Sequence, residues 1–352
     1  MSQATSDYVL RRPVPADNPS LQRLAQSMWP GVRTDVFAKR WWWNDPEAPH
    51  CRVAIHQPTG EVAAMCGERR TRLWHQGRVV PVGSTFDWYV APEHGGHGLG
   101  RKLVECGQNE FEYMVATSAS ESANKALPRL GFTHRVRVPV LVAQPVVVAA
   151  LTRAFAPAHA THNLNLTTHL TAIDQVWNAQ SATGPTMMVR DSAQVRQHLA
   201  LVPRRSYRAA AHWRGSDATA WALYRTLPAG AIRRAPWLRV GLVSDFLYRP
   251  DAGRDLLPLL HHVALDLARQ GCSVMAMLCS SSELIRWLHR AGFVSGKHPI
   301  TGRWMDSIAI EMMHWVSPRS LPAANLPSFM DGWHVTFADN DADLVAGNLL
   351  EY

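Results

Sequence analysis

Apolar and polar positions follow two different periods along this chain. Glu61–Trp74 (EVAAMCGERRTRLW) and Asp217–Leu227 (DATAWALYRTL) alternate and predict β-strands. Helical spacing marks Ser20–Trp29 and Leu170–Gln180. It also marks a stretch with Leu99, Leu103, Cys106 and Met114 on one face, and another with Leu257, Leu260, Ala264 and Leu267. After each of these last two comes a short strand (YMVATS; SVMAMLCS), then a short helix ending at Gly-Phe, then closing strands (HRVRVPVLVA; RWMDSIAIEMM). The order predicts an α/β (α+β) fold in which a mixed, mostly antiparallel sheet is flanked by helices.

The element order occurs twice because the sequence repeats. GSTFDWYVAP lies over GLVSDFLYRP, so that Gly83, Asp87 and Pro92 meet Gly241, Asp245 and Pro250 without a gap. Upstream, Arg52, Ala54 and His56 meet Arg208, Ala210 and His212. Downstream, Leu127, Arg129, Gly131 and Phe132 meet Leu288, Arg290, Gly292 and Phe293. Three ordered matches at a nearly constant offset predict two copies of one domain. The expected division is 1–145, 160–316 and a C-terminal tail 317–352, with the junction where QPVVVAALTRAFAPAHATHN loses periodicity.

Composition narrows the class. The chain has 352 residues, 47% hydrophobic and 18% charged, which excludes a disordered chain and a coiled coil. A net charge of +8 and 17 His favour anionic partners without choosing among them. The longest apolar stretch is broken by Pro139 and Pro145, so no membrane span is expected. The opening residues lack the apolar core of a secretory signal. Five cysteines without a CxxC pair read as buried free thiols in a reducing, cytoplasmic setting. The 14 Trp include three in a row at Trp41, Trp42 and Trp43.

The sharpest chemical signal is the turn Pro92-Glu93-His94-Gly95-Gly96-His97-Gly98-Leu99-Gly100-Arg101-Lys102. A strand ends in glycines and an amphipathic helix starts at once. Glycines allow positive φ and a close backbone approach, while the first helical amides face a ligand beside the positive dipole end. That suits a pyrophosphate, with Arg101 and Lys102 adding charge. A dinucleotide fingerprint would need its glycines after the first strand, and a Walker loop would need GK[ST]; neither is present.

PEHGGHGLG, followed by the helix ending in RLGF, resembles the GCN5-related N-acetyltransferase (GNAT) superfamily, whose signature turn Q/R-x-x-G-x-G/A binds the pyrophosphate of coenzyme A. Gly98 and Gly100 match its small positions, and Gly95 stands where Gln or Arg is usual. The resemblance covers residues 50 to 145 and, through the repeat, 200 to 315. It implies two tandem GNAT-like domains, acetyl-CoA or another acyl-CoA as donor, and direct attack by an amine on the thioester. The pantetheine arm would pair with the strand at Trp88 and Val90. His94, Gly95, Gly96, His97, Gly98, Leu99, Gly100 and Arg101 would form the diphosphate turn, and Thr117 and Asn124 further contacts. A narrower likeness is to tandem proteins of bacterial polysaccharide clusters.

Departures from the pattern matter. Ser84 stands where many members carry a catalytic Glu, and Leu127 where many carry the Tyr that protonates the leaving thiolate. The second copy has one glycine in its turn, Tyr248–Arg254, and is expected not to hold CoA. Asp87 is the candidate general base, a partly buried carboxylate among aromatics, with strand bracing as the alternative because Asp245 matches it. Trp41, Trp42 and Trp43 are candidate acceptor contacts, since stacked aromatics bind sugar faces and nucleobases. No metal-ligand spacing is present, so no metal is expected. The function expected is an acyl-CoA-dependent N-acyltransferase acting on a primary amine of a small molecule, an amino sugar being one candidate. The alternatives are an aminoacyl-tRNA-dependent transferase of the FemABX type and a non-catalytic CoA-binding protein. No nucleic-acid partner is expected, and the sequence sets no oligomeric state.

Overall fold

The computed structural model describes residues 7–28, 51–117, 120–155, 160–167, 170–200, 207–227, 230, 236–295, 309–317, 327 and 332–339. They form a mixed α/β fold in two compact units. One takes the described residues within 1–72, 80–135 and 312–325, the other those within 73–79, 136–311 and 326–352.

In the first unit the strands run in the order β1 (Tyr8–Arg11), β2 (Cys51–His56), β3 (Glu61–His75), β4 (Arg78–Val90), β5 (Tyr113–Thr117) and β14 (Ala309–Val316). β1–β2, β2–β3 and β5–β14 are antiparallel, while β4–β5 is parallel. Helix α1 (Asn18–Met28) buries Leu21, Leu24 and Ala25. Helix α2 (Leu99–Glu110) buries Leu99, Leu103 and Val104 against Ala63, Cys66, Met114 and Phe132. Met114, read from spacing as part of that helix, lies in β5, because the helix stops at Glu110. Its side chain joins the same core from the sheet side. Gly83 permits this packing, since a Cβ there would sit 2.6 Å from the Phe111 ring. The short helix α3 (Glu121–Ala126) is capped by Ser120, whose hydroxyl accepts from the Ala123 amide.

In the second unit the order is β6 (Thr133–Ala143), β12 (Val274–Leu278), β11 (Val240–Tyr248), β10 (Asp217–Thr226), β9 (Arg208–Arg214) and β7 (Thr161–Leu164). Only β11–β12 is parallel among these pairs. Along β9 and β10 the two faces separate with period two. Ala210, Ala220, Ala222 and Tyr224 face one core with α4 (Pro145–Thr152), α7 (Leu256–Arg269) and α8 (Ser282–Arg290). Ala209, Ala211, Trp221 and Leu223 face another with α5 (Thr171–Thr183) and α6 (Ser192–Ala200). Burial on both faces explains why the strand reads as nearly continuous small apolar residues. Gly241 repeats the role of Gly83, a Cβ there falling 2.6 Å from Leu267.

Two features depart from the contiguous segments expected above. The stretch read as aperiodic contains α4, with Val148 and Ala149 in the core. The closing strands also complete units other than those their positions in the sequence suggest. β6 follows the first Gly-Phe yet pairs with β12, Met275 opposite Ala143, and β14 follows the second Gly-Phe yet pairs with β5, Met312 opposite Thr117.

The second unit also takes residues from the expected tail. β15 (Trp333–His334) pairs in parallel with β8 (Thr186–Met188), and Val335, Thr336, Phe337 and Asp339 are buried. Burial and the nearby Arg190 guanidinium hold His334 down to a pKa of about 3, with its Nε2 bonded to the Phe246 carbonyl at 2.8 Å. The unfolded imidazole titrates near the ordinary value, so between that value and 3 the unfolded chain binds more protons. Stability is therefore full above pH 6.5 and falls as pH drops, by about 2 kcal/mol between pH 6.5 and 5 from this group. Urea unfolding across that range should show a shallower fall in His334→Gln; an unchanged slope would refute the assignment.

Candidate functional site

The site is built where β4 and β5 part. Their parallel register covers Val82–Thr85 against Tyr113–Ala116, and β4 then runs on to Val90 while β5 keeps its partner β14. Thr85 Oγ1 bonds the Val115 carbonyl at 3.3 Å, at the last paired step. Two residues later Asp87 has φ +45, a left-handed value that Asp tolerates better than most residues. The kink turns the strand at the point of divergence and leaves Asp87, Trp88, Tyr89 and Val90 half-buried. The Asp87 carboxylate lies near the buried thiols of Cys51 and Cys66, both pushed up chiefly by burial, with Asp87 among the charges that add to it.

Beyond the strand, the Ala91 amide is tied to the Ala63 carbonyl at 2.9 Å and a 3-10 turn covers Pro92–His94. Gly96 and Gly98 take φ +82 and +69, with nothing within 4 Å of an added Cβ. Gly98 is the N-cap of α2 and supplies no side-chain cap, and the first helical bond runs from the Lys102 amide to the Gly98 carbonyl at 3.1 Å. The amides of the first turn ahead of Lys102 therefore have no partner within the helix. Gly95, by contrast, has φ −63, so this position needs no glycine for its backbone. Trp88 locks strand to helix: its Nε1 donates to the Gly100 carbonyl at 3.0 Å, and a Cβ on Gly100 would fall 2.9 Å from that nitrogen.

Most of the residues singled out from sequence thus come together here, with roles that differ. Trp88 offers its backbone to the opening and its indole to the turn. Leu99 is buried in the core, so only its backbone can reach a ligand. The exposed Arg101 guanidinium pairs with Glu105 at 2.6 Å along the helix. Thr117 is buried at the end of β5, and Asn124 is half-buried on α3. Trp41, Trp42 and Trp43 lie outside the described residues.

Two contributors were missed. The Tyr8 hydroxyl lies 3.0 Å from His94 Nδ1, with the Tyr8 ring centroid 5.2 Å from those of His56 and His97. The register Tyr8 opposite His56 across β1 and β2 brings them to the turn. Spacing within one segment carries no such signal. At the far end of α2, Arg12, Arg52 and Arg70 converge on Glu110, which absorbs part of the net positive charge away from the site. Among the described residues no group of three or more His, Cys, Asp or Glu is placed to hold a metal ion. No helix among them is long and apolar enough to cross a membrane.

The matching place in the second unit is built differently. β11 pairs with β12 over Val240–Val243 and then runs on to Tyr248, as β4 does beyond β5. Its Asp245 is buried and receives Arg190 Nε at 2.8 Å and Thr336 Oγ1 at 2.7 Å. The turn that follows is the 3-10 segment Pro250–Asp255, where Gly253 does not take a left-handed backbone and Asp255 stands at the N-cap of α7. A carboxylate occupies the helix end that would face an anion, and it pairs with Arg214 at 2.7 Å.

Comparison with known proteins bears on the fold. Residues 18–132 match the acetyltransferase (GNAT) family. No curated protein matches the chain in sequence. Among solved structures, a GCN5-related N-acetyltransferase from Anabaena variabilis superposes with a TM-score of 0.64 at 11% identity, over 88% of this chain and 73% of that one. A probable N-acyltransferase from Enterococcus faecalis gives 0.59 at 10% identity over 88% and 72%. Saccharomyces cerevisiae N-myristoyltransferase with bound myristoyl-CoA gives 0.53 at 10% identity over 88% and 79%. At these identities the superpositions establish the fold. The chain therefore has the GNAT fold, and its residues 18–132 match the acetyltransferase (GNAT) family.

Proposed function

We propose that the chain is a tandem pair of GNAT-like domains and that the first is an acyl-CoA-dependent N-acyltransferase, moving an acetyl or other acyl group to a primary amine of a small molecule. The observation that carries the reading is the divergence of β4 from β5 leading straight into the glycine turn. Open space over Gly96 and Gly98 and an uncapped helix start fit a diphosphate, which backbone amides bind without a side chain. The half-buried strand end at Trp88 and Val90 fits an extended amide-bearing arm, because a diverging strand offers main-chain groups to a ligand as it would to another strand. Acyl-CoA, when bound, supplies the thioester; the protein's part is to hold it and to take the proton of the attacking amine.

Asp87 is the base in this reading. Its kink sets it at the mouth of the divergence, within the same four-residue stretch as the strand end that would hold the donor. Ser84 and Leu127 are buried, and both belong to the packed interior. Asp87→Asn should lower kcat by about 10²–10³-fold and remove the acid limb of the pH–rate profile, with KM for acetyl-CoA little changed. An unchanged kcat across pH would refute the role.

An amino sugar or nucleotide-linked sugar is the acceptor class proposed, through Trp41, Trp42 and Trp43, and acyl-CoA chemistry would place the protein in the cytoplasm. The buried Ser84 and Leu127 also support a second reading, a CoA-binding protein without turnover. Acetyl-CoA binding by calorimetry together with turnover on a panel of amines separates the two. Binding with no turnover on any amine selects the second.

A further inference from the structure

The opening between β11 and β12 in the second unit is filled by the chain itself. Past Val243 the two strands separate as β4 and β5 do, but here residues 333–336 bridge them. On the β11 side, His334 Nε2 bonds the Phe246 carbonyl at 2.8 Å, and Thr336 Oγ1 donates to Asp245 at 2.7 Å. Phe246 is the counterpart of Trp88 in the repeat. On the β12 side, the Ser280 hydroxyl donates to the Trp333 carbonyl at 2.5 Å and accepts from the Val335 amide at 3.0 Å. The segment thus bonds main chain and side chains on both lips of the opening. Below it, Arg190 joins Asp245 and Asp339 in a buried network, and Asp339 Oδ2 accepts the Thr336 amide at 2.8 Å.

Burial gives this bridge its permanence. Trp333, His334, Val335, Thr336 and Phe337 are each at most 5% exposed, so the segment is a core element rather than a resting tail. Its bonds to Phe246, Asp245 and Ser280 are buried, and withdrawing it would leave the Phe246 carbonyl, the Ser280 hydroxyl and one side of the Arg190 guanidinium without those partners in the interior.

We propose that residues 333–339 are the built-in occupant of the second copy's ligand opening, a peptide held where the first copy would hold its donor arm, so that each chain binds one acyl-CoA. The inference rests on the two-copy, CoA-binding reading above. An independent feature agrees with it: a carboxylate, Asp255, stands at the N-cap position of the helix after β11, where the first copy has Gly98. The second opening is thus bridged at the arm end and carries a carboxylate, unfavourable to an anion, at the phosphate end.

Two measurements on the intact chain test this. Calorimetric titration with acetyl-CoA should give one site per chain; two sites would overturn the proposal. Absence of binding would instead overturn the donor reading, and the second measurement then decides the occupancy alone. In hydrogen exchange followed by mass spectrometry, residues 332–339 should exchange as slowly as β11, with or without acetyl-CoA. Fast exchange there, or exchange accelerated by acetyl-CoA while 95–101 becomes protected, would show a displaceable tail and overturn the proposal. Ser280→Ala removes the bridge on one side without touching the first unit. It should speed exchange at 332–339 and leave the acetyl-CoA stoichiometry at one.

Discussion

Arg190→Met is expected to lower the stability of the protein by about 3–5 kcal/mol, because it leaves buried carboxylates without their cation. Arg190 is 2% exposed and spends its whole guanidinium inside the second unit: Nε on Asp245, Nη1 on the Met188 carbonyl, Nη2 on Thr336 and Asp339. Burial alone would lower its pKa, but the two carboxylates outweigh that and raise it. For Asp245, burial wins over the pull of Arg190 and pushes its pKa up. Without the arginine that pull disappears and the carboxyl is driven higher still. A carboxyl raised in the folded state loses stability as pH rises through its folded pKa, since the unfolded chain ionises first. The penalty for Arg190→Met should therefore be smallest in acid and largest at neutral pH. The midpoint of thermal unfolding should fall by about 6–20 °C at pH 7. Adding Asp245→Asn and Asp339→Asn should recover much of the loss, because the cost lies in the stranded charge. A loss below about 1 kcal/mol at neutral pH would show that the network holds nothing together.

What sequence made legible here was local. The strand into Val90, the glycines at 95, 96, 98 and 100 and the helix behind them form one continuous segment, and spacing alone places them. The repeated Gly83 and Gly241, Asp87 and Asp245 likewise fall at matching register positions, because the parallel pairing with β5 and with β12 ends at the same point of the repeat. Non-local pairing was not legible. Nothing in THRVRVPVLVA says that it lies beside Val274–Leu278, because one apolar strand edge accepts another without a code in the residues themselves. Trp333–Asp339 read as a tail for the same reason. WHVTFAD shows no period, and several of its polar groups are satisfied by Ser280, Asp245, Phe246 and Arg190, far away in sequence. The two aspartates of the repeat show how far identity carries. Asp245 is paired and buried, Asp87 sits half-buried on a left-handed kink, and the difference comes from partners that the repeat does not share.

The glycine turn yields the second large effect. Gly96→Val combined with Gly98→Val should weaken acetyl-CoA binding by about 100-fold or more while the protein stays folded. At φ +82 and +69 each valine costs roughly 1–2 kcal/mol in the observed backbone, and each 1.4 kcal/mol is a factor of ten in affinity. Neither new Cβ meets any atom within 4 Å, so packing does not pay that cost. The free protein can relax by moving the turn, and the strain returns when a diphosphate requires the amides in their original directions. The loss should therefore appear in Kd and KM for acetyl-CoA, with the unfolding midpoint shifted by only a few degrees. Gly95→Ala is the control. Its φ is −63 and its Cβ would lie 3.1 Å from the Pro92 carbonyl, a contact that a small shift relieves, so its affinity should stay within a few-fold of the parent protein. Gly100→Ala fails by another route, since its Cβ meets the Trp88 indole at 2.9 Å and pushes the strand end away from the helix. If Gly95→Ala weakened binding as much as the double valine, any substitution in the turn would do. The diphosphate would then not be held by the left-handed backbone at Gly96 and Gly98.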